Sequence, residues 1–175
     1  LRGALLWEID RGVRTLVIED TPELPVEQLQ VAGREVQSLR TERGDGPGLP
    51  ADETLRTALR LGESALVVGE VRGEEAQVLY EAMRVGAGGS AVLGTIHGSG
   101  GEDVRERVVS DLDVPASSFA TTDLVVTTES FDDGNDRSRR VASIEEVVDG
   151  SDGPTFEALY RLVDGRLRST DRLER

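Results

Sequence analysis

Three short, largely apolar runs, each followed at once by a polar functional group, constrain this chain most. Residues 13–18 lead into Glu19-Asp20, residues 65–68 lead through Gly69 into Glu70, and residues 90–96 end at His97. Apolar runs this short, bounded by turn residues, read as strands buried on both faces. Helical patterns stand between them. Leu1, Leu5 and Ile9 lie four apart and stop at Gly12; residues 51–61 read as a helix; Ala76, Leu79, Tyr80 and Met83 follow i, i+3, i+4, i+7 spacing within residues 73–85. Ser99 and Glu102 fit a capping box that opens a helix running to residue 112. A fourth strand is expected at residues 123–128. Strands alternating with helices imply βαβ units and a mainly parallel sheet, so the expected class is α/β.

Other stretches read less regularly. Pro22 and Pro25 break the chain, residues 31–41 are ambiguous with room for an edge strand, and residues 45–48 form a loop. After residue 131 the pattern changes. Residues 132–140 read as a charged loop, residues 141–148 alternate loosely, and residues 156–167 read as a hairpin turning at Asp164-Gly165. The expected organisation is therefore a parallel core over residues 1–130 and a small antiparallel appendage over residues 131–175.

Composition narrows the function classes. The 175 residues carry 34 acids against 20 basic residues, a net charge of −14, and every basic residue is Arg. Acid excess with no Lys is the surface chemistry of a halophile's cytosolic protein, or of an acidic protein from a GC-rich genome. With no Cys there is no disulfide framework, no Cys-based zinc site and no thiol nucleophile; a lone His97 builds no multi-His metal site. The negative charge, 3% aromatic content and scattered arginines argue against nucleic acid as a partner. No apolar run approaches the roughly 18 residues of a membrane span.

In an open parallel sheet, ligands bind beyond the carboxyl ends of the strands. Carboxylates and one His at three such ends suit a hydrated metal ion, a water and an oxyanion, the parts of phosphoryl transfer. Blander roles exist for each residue. Glu19 and Asp20 can cap the next turn, Arg72 can form a surface ion pair, and residues 86–89 can be a plain helix stop.

The residues also carry a resemblance. Val17-Ile-Glu-Asp-Thr-Pro-Glu-Leu24 resembles the aspartate box of the type II/type IV secretion and pilus motor ATPases, a superfamily that includes archaeal pilus and archaellum motors. Leu55-Arg-Thr-Ala-Leu-Arg60, followed by Ala65-Leu-Val-Val-Gly-Glu-Val-Arg-Gly-Glu-Glu-Ala76, resembles its atypical Walker B segment, and Gly94-Thr-Ile-His97 its histidine box. The boxes follow the family's order across residues 1–128, in the style of haloarchaeal members. The resemblance implies a RecA-like fold, ATP and Mg²⁺ as cofactors, and a ring, a hexamer, acting on an integral-membrane platform protein. It implies a cytoplasmic location at the inner face of the cell membrane and work in the export or assembly of extracellular filaments. Glu70 would orient the attacking water and help order Mg²⁺. Glu19 and Asp20 would lie near the γ-phosphate and metal, with Asp20 acting through water. Arg72 would tie the Walker B strand to neighbouring acids, and His97 would sense the γ-phosphate. Arg40 and Arg43, then Arg56, are candidates to reach a neighbouring subunit's nucleotide, because a guanidinium matches developing phosphoryl charge.

Departures from the family pattern shape the expectation. The Walker A loop, Gly-x-x-x-x-Gly-Lys-Ser/Thr, requires a Lys, and the chain has none. The family's Arg-Pro-Asp reads Gly62-Glu63-Ser64, and its Gly-His reads Gly86-Ala87. The chain opens on Leu1 inside a helical pattern, so it is expected to be a piece that begins just after that loop and binds nucleotide poorly by itself. The alternative is a non-catalytic relative that keeps the fold in a structural or regulatory role.

Overall fold

The computed structural model describes residues 1–41, 49–61, 65–85, 91–132, 134, 137–151 and 153–174. The loop expected at 45–48, the glycine-rich stop at 86–89, the departures at 62–64 and 86–87, and candidate Arg43 lie outside the described residues. The chain forms two compact units, Leu1–Ile96 and His97–Arg175.

In the first unit, α1 (Arg2–Glu8), β1 (Thr15–Glu19), α2 (Val26–Val31), β2 (Val36–Arg40), α3 (Ala51–Arg60), β3 (Ala65–Val68), α4 (Glu75–Val85) and β4 (Ala91–Gly94) follow one another. All strand pairs are parallel, in the order β2-β1-β3-β4. Alternation of side chains sends Val17 and Val67 to one face of the sheet, where they meet Leu6 of α1 and Leu29 of α2. Leu16, Ile18, Leu66 and Val68 point to the other face, and α3, which contacts β1, β2 and α4, supplies buried Leu55 and Ala58. Helices on both faces explain why β1 and β3 are uniformly apolar up to their ends.

The ambiguous stretch resolves into a helix and a strand. Pro25 does not only break the chain; it is the N-cap residue of α2, a place where the missing N–H costs nothing. Residues 36–40 are the expected edge strand, mostly exposed because only β1 borders them.

The second unit contains α5 (Gly101–Glu106), a π-helical turn over Arg107–Asp111, α6 (Ala116–Phe119), and an antiparallel meander of β5 (Leu124–Asp132), β6 (Arg137–Gly150), β7 (Gly153–Val163) and β8 (Arg166–Ser169). Phe119, fully buried, meets Phe156 edge-on at 6.2 Å. The run 123–128, expected as the fourth strand of the parallel core, instead opens this antiparallel sheet from Leu124. The physical reason is in the run itself, where exposed residues alternate with covered ones, the mark of a sheet covered on one face. Most of the charged stretch 132–140 belongs to strands rather than to a loop, with β5 ending at Asp132 and β6 starting at Arg137. The expected hairpin is present, with Asp164 and Gly165 at φ 50° and 74° in the turn. The capping box differs in one partner. Ser99 gives both its N–H and its hydroxyl to Asp103 (2.8 and 2.9 Å), while Glu102 pairs with Arg105. Taken together, the architecture is the expected α/β class: a parallel sheet with flanking helices and a separate antiparallel sheet.

Candidate functional site

The sheet order places a crossover reversal between β1 and β3. The chain leaves β1 for β2 on one side and β3 for β4 on the other, which is where open α/β sheets open a crevice. A cleft of about 230 Å³ lies at that point. Ile18, Leu55 and Val68 give it an apolar floor; Glu19, Asp20, Thr41, Glu70, Arg72 and Glu75 give it polar walls.

Glu19 is the last residue of β1, and only 4% of it is exposed. A buried carboxylate needs compensation. Its Oε1 accepts the backbone N–H groups of Glu23 and Leu24, each at 3.2 Å, so the Pro22–Pro25 loop folds over it. Its Oε2 is buried with no hydrogen-bond partner. Gly69 makes this close arrangement possible. A Cβ there would stand 3.1 Å from both Glu19 Cγ and the Ile18 carbonyl oxygen. The Gly69 N–H donates to that same carbonyl at 2.7 Å, locking the two strand ends together.

Glu70 follows directly, where the strand has ended and the backbone is free to turn. Its peptide neighbours are held from several sides. The Gly69 carbonyl accepts from the Arg2 guanidinium and the Thr95 hydroxyl, and the Val71 N–H donates to the Thr95 carbonyl at 2.8 Å. The Arg72 guanidinium donates to Glu70 Oε2. That bond, with the charges of Glu70, Asp20 and Glu23, lifts the guanidinium above its already high pKa against a smaller opposing effect of desolvation. Asp20 is exposed and accepts the Thr21 N–H at 2.7 Å.

The structure thus brings Glu19, Asp20, Glu70 and Arg72 together. Arg40, paired in register with Glu19, is exposed and outside the cleft lining, as is Arg56 on α3. His97 is exposed and is the first residue of the second unit. Glu75 and Thr41 were not singled out in the sequence, yet both line the cleft. Glu75 Oε1 accepts the Arg72 N–H at 2.6 Å and the Gly73 N–H at 3.0 Å, fixing the turn that carries Arg72. The signal was its position, an acid opening a helix immediately before the first apolar-periodic residue, Ala76.

The donor set suits a hard cation. Among the described residues, every polar side chain lining the cleft except Arg72 offers oxygen, as Mg²⁺ requires. Among the described residues no group of three His, Asp or Glu side chains converges to cage a metal ion. One or two carboxylates with waters and phosphates is the usual Mg²⁺ arrangement, and the partnerless Glu19 Oε2 fits it.

Comparison with known proteins agrees with this geometry. The uncharacterized protein MJ0900 of Methanocaldococcus jannaschii is 31% identical over 169 residues, covering 93% of this chain and 27% of that protein. MJ1287 of the same organism is 29% identical over 151 residues, covering 85% of this chain and 54% of its own length. The chain therefore spans from about a quarter to about half of the length of these relatives. Among solved structures, the VirB11 ATPase of the Brucella suis type IV secretion system, in complex with sulphate, superposes with TM-score 0.63 at 25% identity, over 82% of this chain and 43% of that one. The Legionella pneumophila ATPase DotB (TM-score 0.61, 20% identity, 82% and 39% of the two chains) and the pilus retraction motor PilT with bound ADP (0.58, 20%, 79% and 40%) share the fold. The fold is the RecA-like one of these ATPases. A model of the family described as type II/IV secretion system protein matches residues 4–132, well over half of the sequence, and the chain belongs to that family.

Proposed function

We propose that this chain supplies the water-orienting and metal-ordering acids of a secretion or pilus motor ATPase. The observation that carries the reading is the convergence of Glu19, Asp20, Glu70 and Arg72 from two neighbouring strand ends into one cleft, with a buried, partnerless oxygen on Glu19. In this reading Glu70 holds the attacking water by accepting its hydrogen bond. Glu19 and Asp20 would hold the cation through its waters, and Glu75 keeps Arg72 in place through the backbone. Mg²⁺ would supply positive charge to the phosphate oxygens as negative charge shifts during transfer. Arg40 and Arg56, exposed and outside the cleft, would serve a neighbouring subunit's nucleotide, with Arg43 as a further candidate. His97 would link nucleotide state to the second unit.

Size supports a divided task. About 230 Å³ is below the roughly 300–1,000 Å³ of sites that enclose a whole small ligand, and suits a hydrated cation with the end of a phosphate chain. The Lys of a Walker A loop is missing from this sequence, so the phosphate grip belongs elsewhere in the assembled motor. We further propose a hexameric ring at the cytoplasmic face of the membrane, coupling ATP hydrolysis through a platform protein to filament assembly or export, in a halophilic archaeon.

The test is ATP hydrolysis by the natural protein purified from its source, beside its Glu70→Gln form. Removing the water-orienting carboxylate should lower the rate by roughly 100-fold or more while nucleotide binding persists. An unchanged rate overturns the reading. The second reading, a structural or regulatory relative, is favoured by the missing Lys. It takes over if the natural protein has a mass near 18.9 kDa, begins at Leu1 and does not hydrolyse ATP.

A further inference from the structure

We propose that Arg72 is the cleft's resident counter-cation: it holds Glu70 while no divalent cation is present and must release Glu70 before a cation can engage it. The inference rests on the reading of the cleft as a metal–nucleotide site. Among the described residues, four carboxylates, Glu19, Asp20, Glu70 and Glu75, line the cleft, and Arg72 is the one cation that does. Its guanidinium is bonded to Glu70 Oε2, the carboxylate that the reading requires for water and metal. A guanidinium and a hydrated divalent cation compete for the same oxygens, because each needs the carboxylate's negative charge and lone pairs.

The surroundings allow the exchange. The backbone of Arg72 is tied down separately, its N–H on Glu75 at 2.6 Å, so the side chain can leave without the turn unravelling. The side chain is 45% exposed and can move into water at small cost. The Asp20 and Glu23 charges already act on the guanidinium and give it somewhere to go. Glu19 differs from Glu70 in this respect. Its Oε2 is buried with no hydrogen-bond partner, so it would have no bonded guanidinium to surrender to a cation.

The test uses the chain with Mn²⁺ alone as the probe, following the loss of the free-ion signal in electron paramagnetic resonance. Arg72→Gln should bind Mn²⁺ roughly tenfold more tightly than the unchanged chain at low ionic strength, with the gap closing as salt rises. Adding Glu70→Gln to that variant should remove the gain. Equal Mn²⁺ affinity with and without Arg72 overturns the counter-cation role and leaves the metal reading standing. No Mn²⁺ binding by any form overturns the role, and the hydrolysis test of the natural protein then decides the broader reading alone. A measurement on the unchanged chain guards against a variant that fails to fold. The Arg72 Nε–H resonance should shift as Mg²⁺ is added, and a resonance that stays still through saturation overturns the proposal.

Discussion

Every residue of β1 and β3 in the first unit is buried, whereas the 14-residue β6 of the second unit is half-buried along most of its length. Each sheet has four strands, so the difference is one of covering rather than size. Helices on both faces leave a parallel sheet only its strand ends for polar groups, and those ends point the same way. Four of the polar residues lining the cleft sit at or just beyond such ends: Glu19, Asp20, Thr41 and Glu70. The antiparallel sheet spreads its polar groups along the strands instead. Arg140 pairs with Glu129, and Arg172 with Glu146 and Glu157, at 2.8 to 2.9 Å on partly exposed surfaces. Such pairs contribute little each, up to about 1 kcal/mol. One covering concentrates charge at a point; the other disperses it.

The sharpest way to break this comparison is to remove equal apolar mass from each sheet. Leu16 in β1 is fully buried, and Leu16→Ala should cost about 3–4 kcal/mol. Leu162 in β7 is half-buried, and Leu162→Ala should cost about 1 kcal/mol. Trp7, the only tryptophan, sits in the first unit, so its fluorescence during urea unfolding reports that unit. Leu16→Ala should move the fluorescence transition strongly and Leu162→Ala hardly at all. Equal shifts would mean that the two units unfold as one and that Leu162 is as tightly covered as Leu16.

A smaller effect tests the strand ends. Gly69→Ala would press a methyl to 3.1 Å from a backbone oxygen and from the Glu19 side chain, so one of them must move. The expected cost is about 1–2 kcal/mol. Gly12→Ala, whose Cβ would meet only Asp10 Oδ1 at an ordinary 3.4 Å, should change stability by less than about 0.5 kcal/mol. Equal effects at the two glycines would show that the β1–β3 end is looser than its distances imply.

The same contrast explains what the sequence disclosed. Strands buried on both faces leave unbroken apolar runs, and the residues after them are conspicuous, so Glu19, Asp20 and Glu70 were legible before any coordinates. Arg72 was legible through its motif. Edge strand β2 was ambiguous because one neighbour covers too little of it to write a pattern. The helix α2 was hidden by Pro25, which signals a break and a helix start with equal force. The run 123–128 carries enough apolar residues to read as one more strand of the parallel sheet, and only the alternation of exposed and covered positions sets it apart. Thr41 left no trace because its part depends on which side of a turn faces the cleft, which no linear spacing records; Glu75 carried only the general mark of an acid opening a helix.

The smallest predicted effect concerns the start of α5, where Ser99 was expected to share a capping box with Glu102. The structure gives the partnership to Asp103. Hydrogen bonds from the Ser99 N–H and hydroxyl, with a lesser pull from Arg107, hold the Asp103 carboxyl below its ordinary range against weak desolvation. A lowered folded pKa favours the native state where the carboxylate is charged. That contribution is fully present above the unfolded value of about 3.9 and is lost as pH falls through the lower folded value. Asp103→Asn keeps the shape and removes the charge. Melting temperatures of the two proteins should therefore differ by a constant amount from about pH 7 down to about pH 5 and converge below about pH 4. If the offset of the Asp103 variant persists unchanged below about pH 4, the Asp103 carboxylate is not what holds Ser99, and the helix start must be redrawn.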